Sequence, residues 1–134
     1  MYKVDLIVAT SFGSFFGKCI GANVNIPLIA TNPCFKPSIS LRAISPEYFN
    51  NVLNVNKVVE NESIILKSSF VKDVIIVGDD DQVIDHHITN EVAGVFEQRG
   101  PRVYKVHGTH KLDRCVYENI LLEEVKKYEK MDKK

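Results

Sequence analysis

One stretch near the amino end, Val4–Ser14, constrains the fold most strongly. An apolar run typical of a β-strand ends there in a turn of small residues, and a stretch compatible with a helix, 15–21, follows directly. Ser11 lies in this turn, with Ala9 and Gly13 two positions to either side, which fits the strand–turn–helix pattern of a nucleophile elbow. In such a turn the small neighbours avoid a clash and the serine hydroxyl projects above the sheet. The alternative is that Ser11 simply caps the helix.

Composition predicts one modest globular domain. The chain has 134 residues, of which 45% are hydrophobic, and a formal net charge of zero, so nothing electrostatic points to nucleic acid or a membrane surface as partner. Cys19, Cys34 and Cys115 are an odd number without a C-x-x-C pair, so we expect neither disulfides nor a zinc site, and a reducing, cytoplasmic location fits best. We expect no cofactor, signal peptide or membrane span. The lysine-rich segment 126–134 is expected to be a frayed tail.

The remaining segments alternate between strand-like and helix-like patterns. Strands are predicted within 4–10, 27–30, 74–77 and 102–106, and helices at 15–21, 45–53, 89–96 and from 113. The segment 34–41 is predicted to be a loop. The pattern of 55–70 is mixed and predicts neither a helix nor a strand. As an insert, this segment would cover the candidate site at Ser11. The alternation predicts an α/β three-layer sandwich, a mostly parallel sheet with helices on both faces.

Polar side chains follow the later strands. Four carboxylates lie in 78–85, after the most apolar strand, and His107 and His110 follow the last one. Since α/β sheets keep their ligands and catalytic groups at the carboxyl ends of the strands, these side chains are expected near Ser11. A nucleophilic serine needs a base to take its proton and a carboxylate to orient that base, and the chain order Ser, Asp, His is that of α/β-hydrolases.

A family resemblance narrows the candidates. The chain resembles the carboxyl-terminal two-thirds of a small α/β-hydrolase, and most resembles the YqiA-like esterases, compact single-domain acyl hydrolases. The similarity spans about Asp5 to Tyr117 and rests on four motifs: Ala9–Gly13 for G-S-S-L-G, Asn32-Pro33 for N-P, Gly78–Asp85 for G-D-E-V-L-D and Gly108–Leu112 for G-N-H-x-F. It implies that Ser11 is the nucleophile, Asp81 the orienting acid and His110 the base of an enzyme acting on a small acyl ester. Asp80 is the substitute acid and His107 the rival base.

The departures from the family pattern concern the oxyanion hole. The backbone N–H of Phe12 supplies one donor, whereas the strand and His-Gly loop that give such hydrolases their second donor are missing. The resemblance therefore implies a domain truncated at the amino end, with weak or no activity or with a partner chain that completes it. Ala9, Ser14 and Leu112 are smaller departures. Phe12 is expected in the core or in the wall of an acyl pocket, together with Phe15 and Phe16.

Two further hypotheses belong to other classes of protein. The tripeptide Asp85-His86-His87 resembles the D-H-H signature of manganese-dependent DHH phosphoesterases, although a D-x-D-G motif near the amino end is missing. The structural alternative is that the two histidines simply begin a helix. The other hypothesis is a non-catalytic, hydrolase-like module, whose exposed sheet edge pairs with a second copy or with another chain.

Overall fold

A computed structural model describes residues 3–67, 72–84, 94–95, 97 and 100–132 of the chain. Within these ranges the strands are β1 (Ile7–Thr10), β2 (Leu28–Thr31), β3 (Val74–Gly78) and β4 (Arg102–Val106). The helices are α1 (Gly13–Val24), α2 (Ser40–Ile44), α3 (Pro46–Asn51), α4 (Val55–Lys67), α5 (Arg114–Val116) and α6 (Leu122–Asp132), with a π-helical turn, Tyr117–Leu121, between the last two.

The four strands form one parallel sheet in the order β1-β2-β3-β4. Ile7 pairs with Leu28 at one end of the first ladder, and Gly78 pairs with Val106 at the end of the third. The central strands β2 and β3 are buried along their whole length, which explains their mostly apolar sequences. In contrast, β1 alternates between half-buried and exposed residues, and β4 is a mixture of the two without a buried residue.

The sheet separates two apolar cores. On one face, Ala30 and Ile75 pack with side chains from the first, third and fourth helices, namely Phe15, Phe49, Val58 and Ile65. On the other face, Ile29 and Ile76 pack with Leu112 and Val116 at the start of the last helical segment. Because neighbouring residues of a strand point to opposite faces, one short strand serves both cores. The predicted α/β three-layer sandwich, with helices on both faces, is confirmed.

Several predicted bounds differ from the structure. Residues 55–67, whose pattern predicted neither element, form α4, and the segment predicted to be a loop at 34–41 already contains the start of α2. The helix predicted through Leu53 is shorter and ends at Asn51. Most of the helix predicted at 89–96 lies outside the described residues. Of the lysine-rich segment 126–134, residues 126–132 are helical.

The parallel topology brings the carboxyl ends of all four strands to one edge of the sheet. Four segments therefore lie next to one another. They are the turn after β1, the segment after β2, the loop after β3 with Asp79–Asp81 (the aspartate loop) and the loop after β4 with His107 and His110 (the histidine loop). Among the helices in the described ranges, none has the length and apolarity needed to cross a bilayer.

Candidate active site

Ser11 lies in the tight turn between β1 and α1, as the sequence predicted. Its φ angle is 53°, in the left-handed region that side-chain-bearing residues rarely adopt. Backbone hydrogen bonds hold it there: Ser11 N–H donates to the Thr31 oxygen at 3.0 Å, and the Ser11 oxygen accepts from Cys34 at 3.0 Å and from Ser14 at 3.1 Å. The end of β2 and the start of α1 thus fix the strained turn from both sides.

The structure does not bear out the steric role expected of Gly13. A Cβ built on Gly13 meets no atom of the described residues within 4 Å, because this first residue of α1 is exposed. The close packing occurs one helical turn later, at Gly17, where a Cβ would lie 3.1 Å from the Leu28 side chain and 3.3 Å from Ala9 Cβ. Ala9 and Gly17 therefore serve the contact between helix and sheet, and Gly13 takes no part in it.

Asp81 lies directly beyond β3, and its carboxylate is buried, with a side-chain exposure of 1%. Its Oδ1 accepts hydrogen bonds from the backbone N–H groups of Val83 and Ile84, both at 2.9 Å. Two amides that converge on one oxygen fix the direction of the carboxylate. The neighbouring Asp80 is exposed, and its backbone N–H donates to the Gly108 oxygen.

His110 connects the serine to the buried carboxylate. Its Nδ1 lies 2.9 Å from Asp81 Oδ2 and 3.0 Å from Oδ1, and its Nε2 lies 2.9 Å from Ser11 Oγ. Since an ionised carboxylate only accepts hydrogen bonds, Nδ1 carries the ring proton, and in the neutral ring Nε2 presents a lone pair to the serine hydroxyl. A hydroxyl, an imidazole and a carboxylate therefore form one hydrogen-bonded chain, and His110 remains accessible, with 23% of its side chain exposed.

The rival base His107 lies elsewhere. Its ring is fully exposed, and its Nδ1 lies 2.6 Å from Asp79 Oδ2. The other oxygen of Asp79 accepts from the Gly108 N–H at 3.1 Å. This backbone hydrogen bond, followed by the one from His107, holds the pKa of the Asp79 carboxyl below its ordinary value. Of the two histidines after β4, it is His110 that reaches Ser11.

Cys34 carries a second potential nucleophile near the serine turn, because its backbone N–H donates to the Ser11 oxygen. Its thiol is buried, and burial, followed by the charges of Glu62 and Asp81, raises the pKa of Cys34 to about 12. Because only the thiolate is strongly nucleophilic, this thiol is inert at neutral pH. The hydroxyl of Ser11 is the better candidate nucleophile.

The N–H of Phe12, the predicted oxyanion donor, has no acceptor among the described residues. It lies at the amino end of α1, where the first N–H groups lack partners within the helix. The Phe12 ring packs edge-on against Phe16 at 4.8 Å and stacks with Phe15 at 6.1 Å between ring centroids. Phe15 is buried in the core, whereas Phe16 is about half exposed, so this aromatic cluster extends from the core to the surface beside Ser11.

Sequence reasoning recognised Asn32 only as part of a motif and missed its contacts. Asn32 is completely buried, and its carboxamide donates to the oxygens of Thr109 and His110, at 2.9 and 2.6 Å. Its Oδ1 accepts from the Gly78 N–H at 2.7 Å. The available signal was its position: a polar residue followed by proline, directly after a strand buried on both faces.

The tripeptide Asp85-His86-His87 lies outside the described residues. Within the described part of the chain, no three histidine, cysteine, aspartate or glutamate side chains are grouped so that they could hold a metal ion. No protein-family model matches the chain, and no curated protein is similar to it in sequence. Inferences about function therefore depend on the geometry of the site.

Proposed function

We propose that the protein is a serine hydrolase of the ester or acyl hydrolase class, with Ser11 as nucleophile, His110 as general base and Asp81 as the acid that orients His110. The observation that carries the proposal is the continuous chain of hydrogen bonds from Ser11 Oγ through both ring nitrogens of His110 to the buried Asp81 carboxylate. Its order and its distances are those that nucleophilic catalysis by serine requires.

The proposed reaction has two steps. In the first, Ser11 Oγ attacks the acyl carbon while its proton passes to His110 Nε2; the imidazolium then gives that proton to the leaving alcohol, and an acyl-serine forms. In the second, water gives a proton to the same nitrogen and attacks the acyl carbon of the acyl-serine. The imidazolium then returns that proton to Ser11 Oγ as the bond between this oxygen and the acyl carbon breaks, so the acid is released and the hydroxyl is restored. Asp81 stabilises the imidazolium in both steps and keeps its own charge.

The oxyanion of each tetrahedral intermediate would be held by the Phe12 N–H, which has no acceptor among the described residues. Serine hydrolases commonly use two such donors, and loss of one costs on the order of 10²- to 10³-fold in rate. With the Phe12 N–H as a single donor, the enzyme is expected to be slow. A small, unhindered acyl ester with a good leaving group is the substrate class on which slow turnover is easiest to measure.

The direct test is hydrolysis of p-nitrophenyl acetate and butyrate by wild type and Ser11→Ala. Turnover that is saturable in wild type and lost in the variant supports the proposal. Ser14→Ala is the matched control. The Ser14 hydroxyl lies three residues away, is buried and has no hydrogen-bond partner among the described residues, so its removal should leave both activity and folding intact.

Covalent labelling tests the nucleophile independently of turnover. A fluorophosphonate probe should add one mass increment, and peptide mapping should place it on Ser11. Turnover that persists in Ser11→Ala, or a label that falls on another residue, would contradict the assignment.

An alternative function, a non-catalytic assembly module, is favoured by the surface beside β1. Within the described residues no strand pairs with the outer edge of β1, and Val8 on this strand is half exposed. Along α1, three further apolar side chains lie exposed at helical spacing: Phe16, Ile20 and Val24. Such an edge is a template for pairing with a second copy or another chain. Stable dimers without turnover would support this alternative.

The proposed location is the cytoplasm. Cys19, Cys34 and Cys115 are free thiols, one buried, one half-buried and one exposed. Free cysteines persist most readily in a reducing compartment, which is the observation that supports this location. Neither the neutral charge of the chain nor the described surface gives a reason to add nucleic acid or a membrane as partner.

A further inference from the structure

We infer that Asn32 is a positioning residue, which holds the His110 loop at the distance from Ser11 that proton transfer needs. This inference rests on the proposed function, because it assigns a role within the same site. It is carried by one side chain that joins three separate segments of the chain at the carboxyl edge of the sheet.

The carboxamide of Asn32 makes three hydrogen bonds at the site. Its two N–H groups bind the consecutive backbone oxygens of Thr109 and His110, and its oxygen accepts from Gly78, the last residue of β3. The partners fix the orientation of the amide, since Gly78 presents a donor and the other two present acceptors. One planar group thus ties the segment before the aspartate loop to the backbone of His110.

The backbone around Asn32 is tied to the serine turn. Its own N–H donates to the Ile76 oxygen at 2.8 Å, which extends the β2–β3 ladder by one residue. The residue before it, Thr31, accepts from the Ser11 N–H, and Cys34, two residues after it, donates to the Ser11 oxygen. A shift of this segment would therefore move the serine and the histidine relative to each other.

The conformation at Asn32 explains why asparagine suits the position. Its φ angle is 42°, in the left-handed region, which asparagine and glycine adopt more readily than other residues. Asn25, at the end of α1, has a similar φ of 60° but is exposed and remote from the candidate active site. The two asparagines share a backbone conformation and differ in their side-chain contacts, so Asn25 provides the matched control.

The test compares wild type, Asn32→Gly and Asn25→Gly. Glycine keeps the left-handed backbone and removes only the carboxamide. We expect Asn32→Gly to lower kcat/KM on p-nitrophenyl butyrate about 100-fold, mainly through kcat, as for other small displacements of catalytic groups. Asn25→Gly should retain the wild-type rate. Equal rates in both variants would overturn the inference.

A second readout does not depend on turnover. Nitrogen-15 NMR of the histidine rings, with His110→Ala used to assign the His110 signals, should show the Nδ1-protonated form of His110 in wild type and in Asn25→Gly. In folded Asn32→Gly this form should give way to the mixture of an unrestrained imidazole. Unchanged His110 signals would overturn the inference. A wild type that shows the Nδ1-protonated form of His110 but has no esterase activity would contradict the proposed function and leave this inference standing.

Should Asn32→Gly fail to fold, the wild type still provides a test. Both carboxamide protons of Asn32 are donated inside the protein, so they should exchange with solvent at least about tenfold more slowly than those of the exposed Asn50. Equal exchange rates would show that the carboxamide does not hold the loop, and the inference would fall.

Discussion

Two aspartate–histidine pairs join the loops after β3 and β4, Asp81 with His110 and Asp79 with His107. Their hydrogen bonds are of similar length, 2.9 and 2.6 Å. They differ in environment, since Asp81 is almost completely buried and His110 mostly so, whereas half of the Asp79 side chain and all of the His107 ring are exposed. Charge interactions are screened by water at the exposed pair and much less at the buried one.

The comparison teaches that a short Asp–His contact does not by itself define a candidate catalytic group. The second ring nitrogen of His110 faces Ser11 Oγ, so the buried pair has a third member on which its basicity can act. The exposed pair instead binds the loop: Asp79 accepts from the Gly108 N–H and donates its own N–H to Val106. We interpret the exposed pair, Asp79 and His107, as an outer clamp on the loop that positions the inner, buried pair, Asp81 and His110.

The largest difference is expected when each histidine is removed. His110→Ala should abolish ester hydrolysis, because without the base the serine hydroxyl keeps its proton; such losses reach about 10⁶-fold in efficient serine hydrolases. His107→Ala should lower kcat/KM far less, since its ring contacts Asp79 and solvent and since Asp79 still accepts from the Gly108 N–H in this variant. Steady-state kinetics on p-nitrophenyl butyrate checks both. Equal losses in the two variants would remove the distinction between the pairs.

A large but smaller effect is expected at the acids. Asp81→Asn should reduce kcat by up to about 10⁴-fold, because the amide no longer selects the ring tautomer that presents a lone pair to Ser11. Asp80→Asn is the matched control, because Asp80 is adjacent to Asp81 and its side chain is exposed. A greater loss in Asp80→Asn than in Asp81→Asn would assign the acid to Asp80 instead.

An intermediate effect is expected where the two loops meet. A Cβ on Gly78 would lie 2.5 Å from the Gly108 oxygen and 2.9 Å from the Thr109 oxygen. Gly78→Ala must therefore displace the loop that carries both histidines, and we expect a loss of about 1–3 kcal/mol in the free energy of unfolding, together with weaker hydrolysis.

Denaturant titration measures this loss. Gly94→Ala serves as the control, since a Cβ at Gly94 meets no atom of the described residues within 4 Å, and it should be neutral or slightly stabilising. A Gly78→Ala protein as stable and as active as Gly94→Ala would indicate that the two loops are not in close contact.

The sequence predicted the sheet well because its strands carry local signals. Val74–Val77 is continuous and β-branched, as a strand buried on both faces requires, and the polar residues beyond each strand end indicated where the loops would gather. That Ser11, Asp81 and His110 would meet followed from the parallel topology together with the family motifs. That His110 rather than His107 contacts Ser11 is visible only in the structure, because both histidines follow β4 within four residues.

The helix α4 shows what the sequence could not reveal. Val55, Val58 and Ile65 lie on its core side, but Glu62 shares that side and masks the apolar pattern. Glu62 is buried because its carboxylate accepts from the N–H and the hydroxyl of Ser38, at 2.6 and 2.7 Å. Ser38 lies 24 residues away in the sequence, so the pattern around Glu62 does not indicate this partner. Hydrophobic periodicity therefore did not predict the helix.

The smallest effect is expected from the charge of the outer pair. The Gly108 backbone hydrogen bond, and then the His107 hydrogen bond, lower the pKa of Asp79 from its ordinary 3.8. Since a carboxyl with a lowered pKa in the folded protein stabilises it only when ionised, this contribution is present above about pH 4 and is lost as the pH falls through the lowered value. Asp79→Asn should therefore melt slightly below wild type at about pH 7 and together with it at about pH 2.

Thermal melts of wild type, Asp79→Asn and Asp80→Asn at both pH values test this dependence. Asparagine can still accept from the Gly108 N–H, so the variant removes the charge and keeps the shape. Asp80, whose side chain is exposed, should show the difference at neither pH. A deficit of Asp79→Asn that persists in acid would mean that the deficit does not come from the charge of Asp79. The electrostatic distinction between the outer and inner pairs would then have to be abandoned.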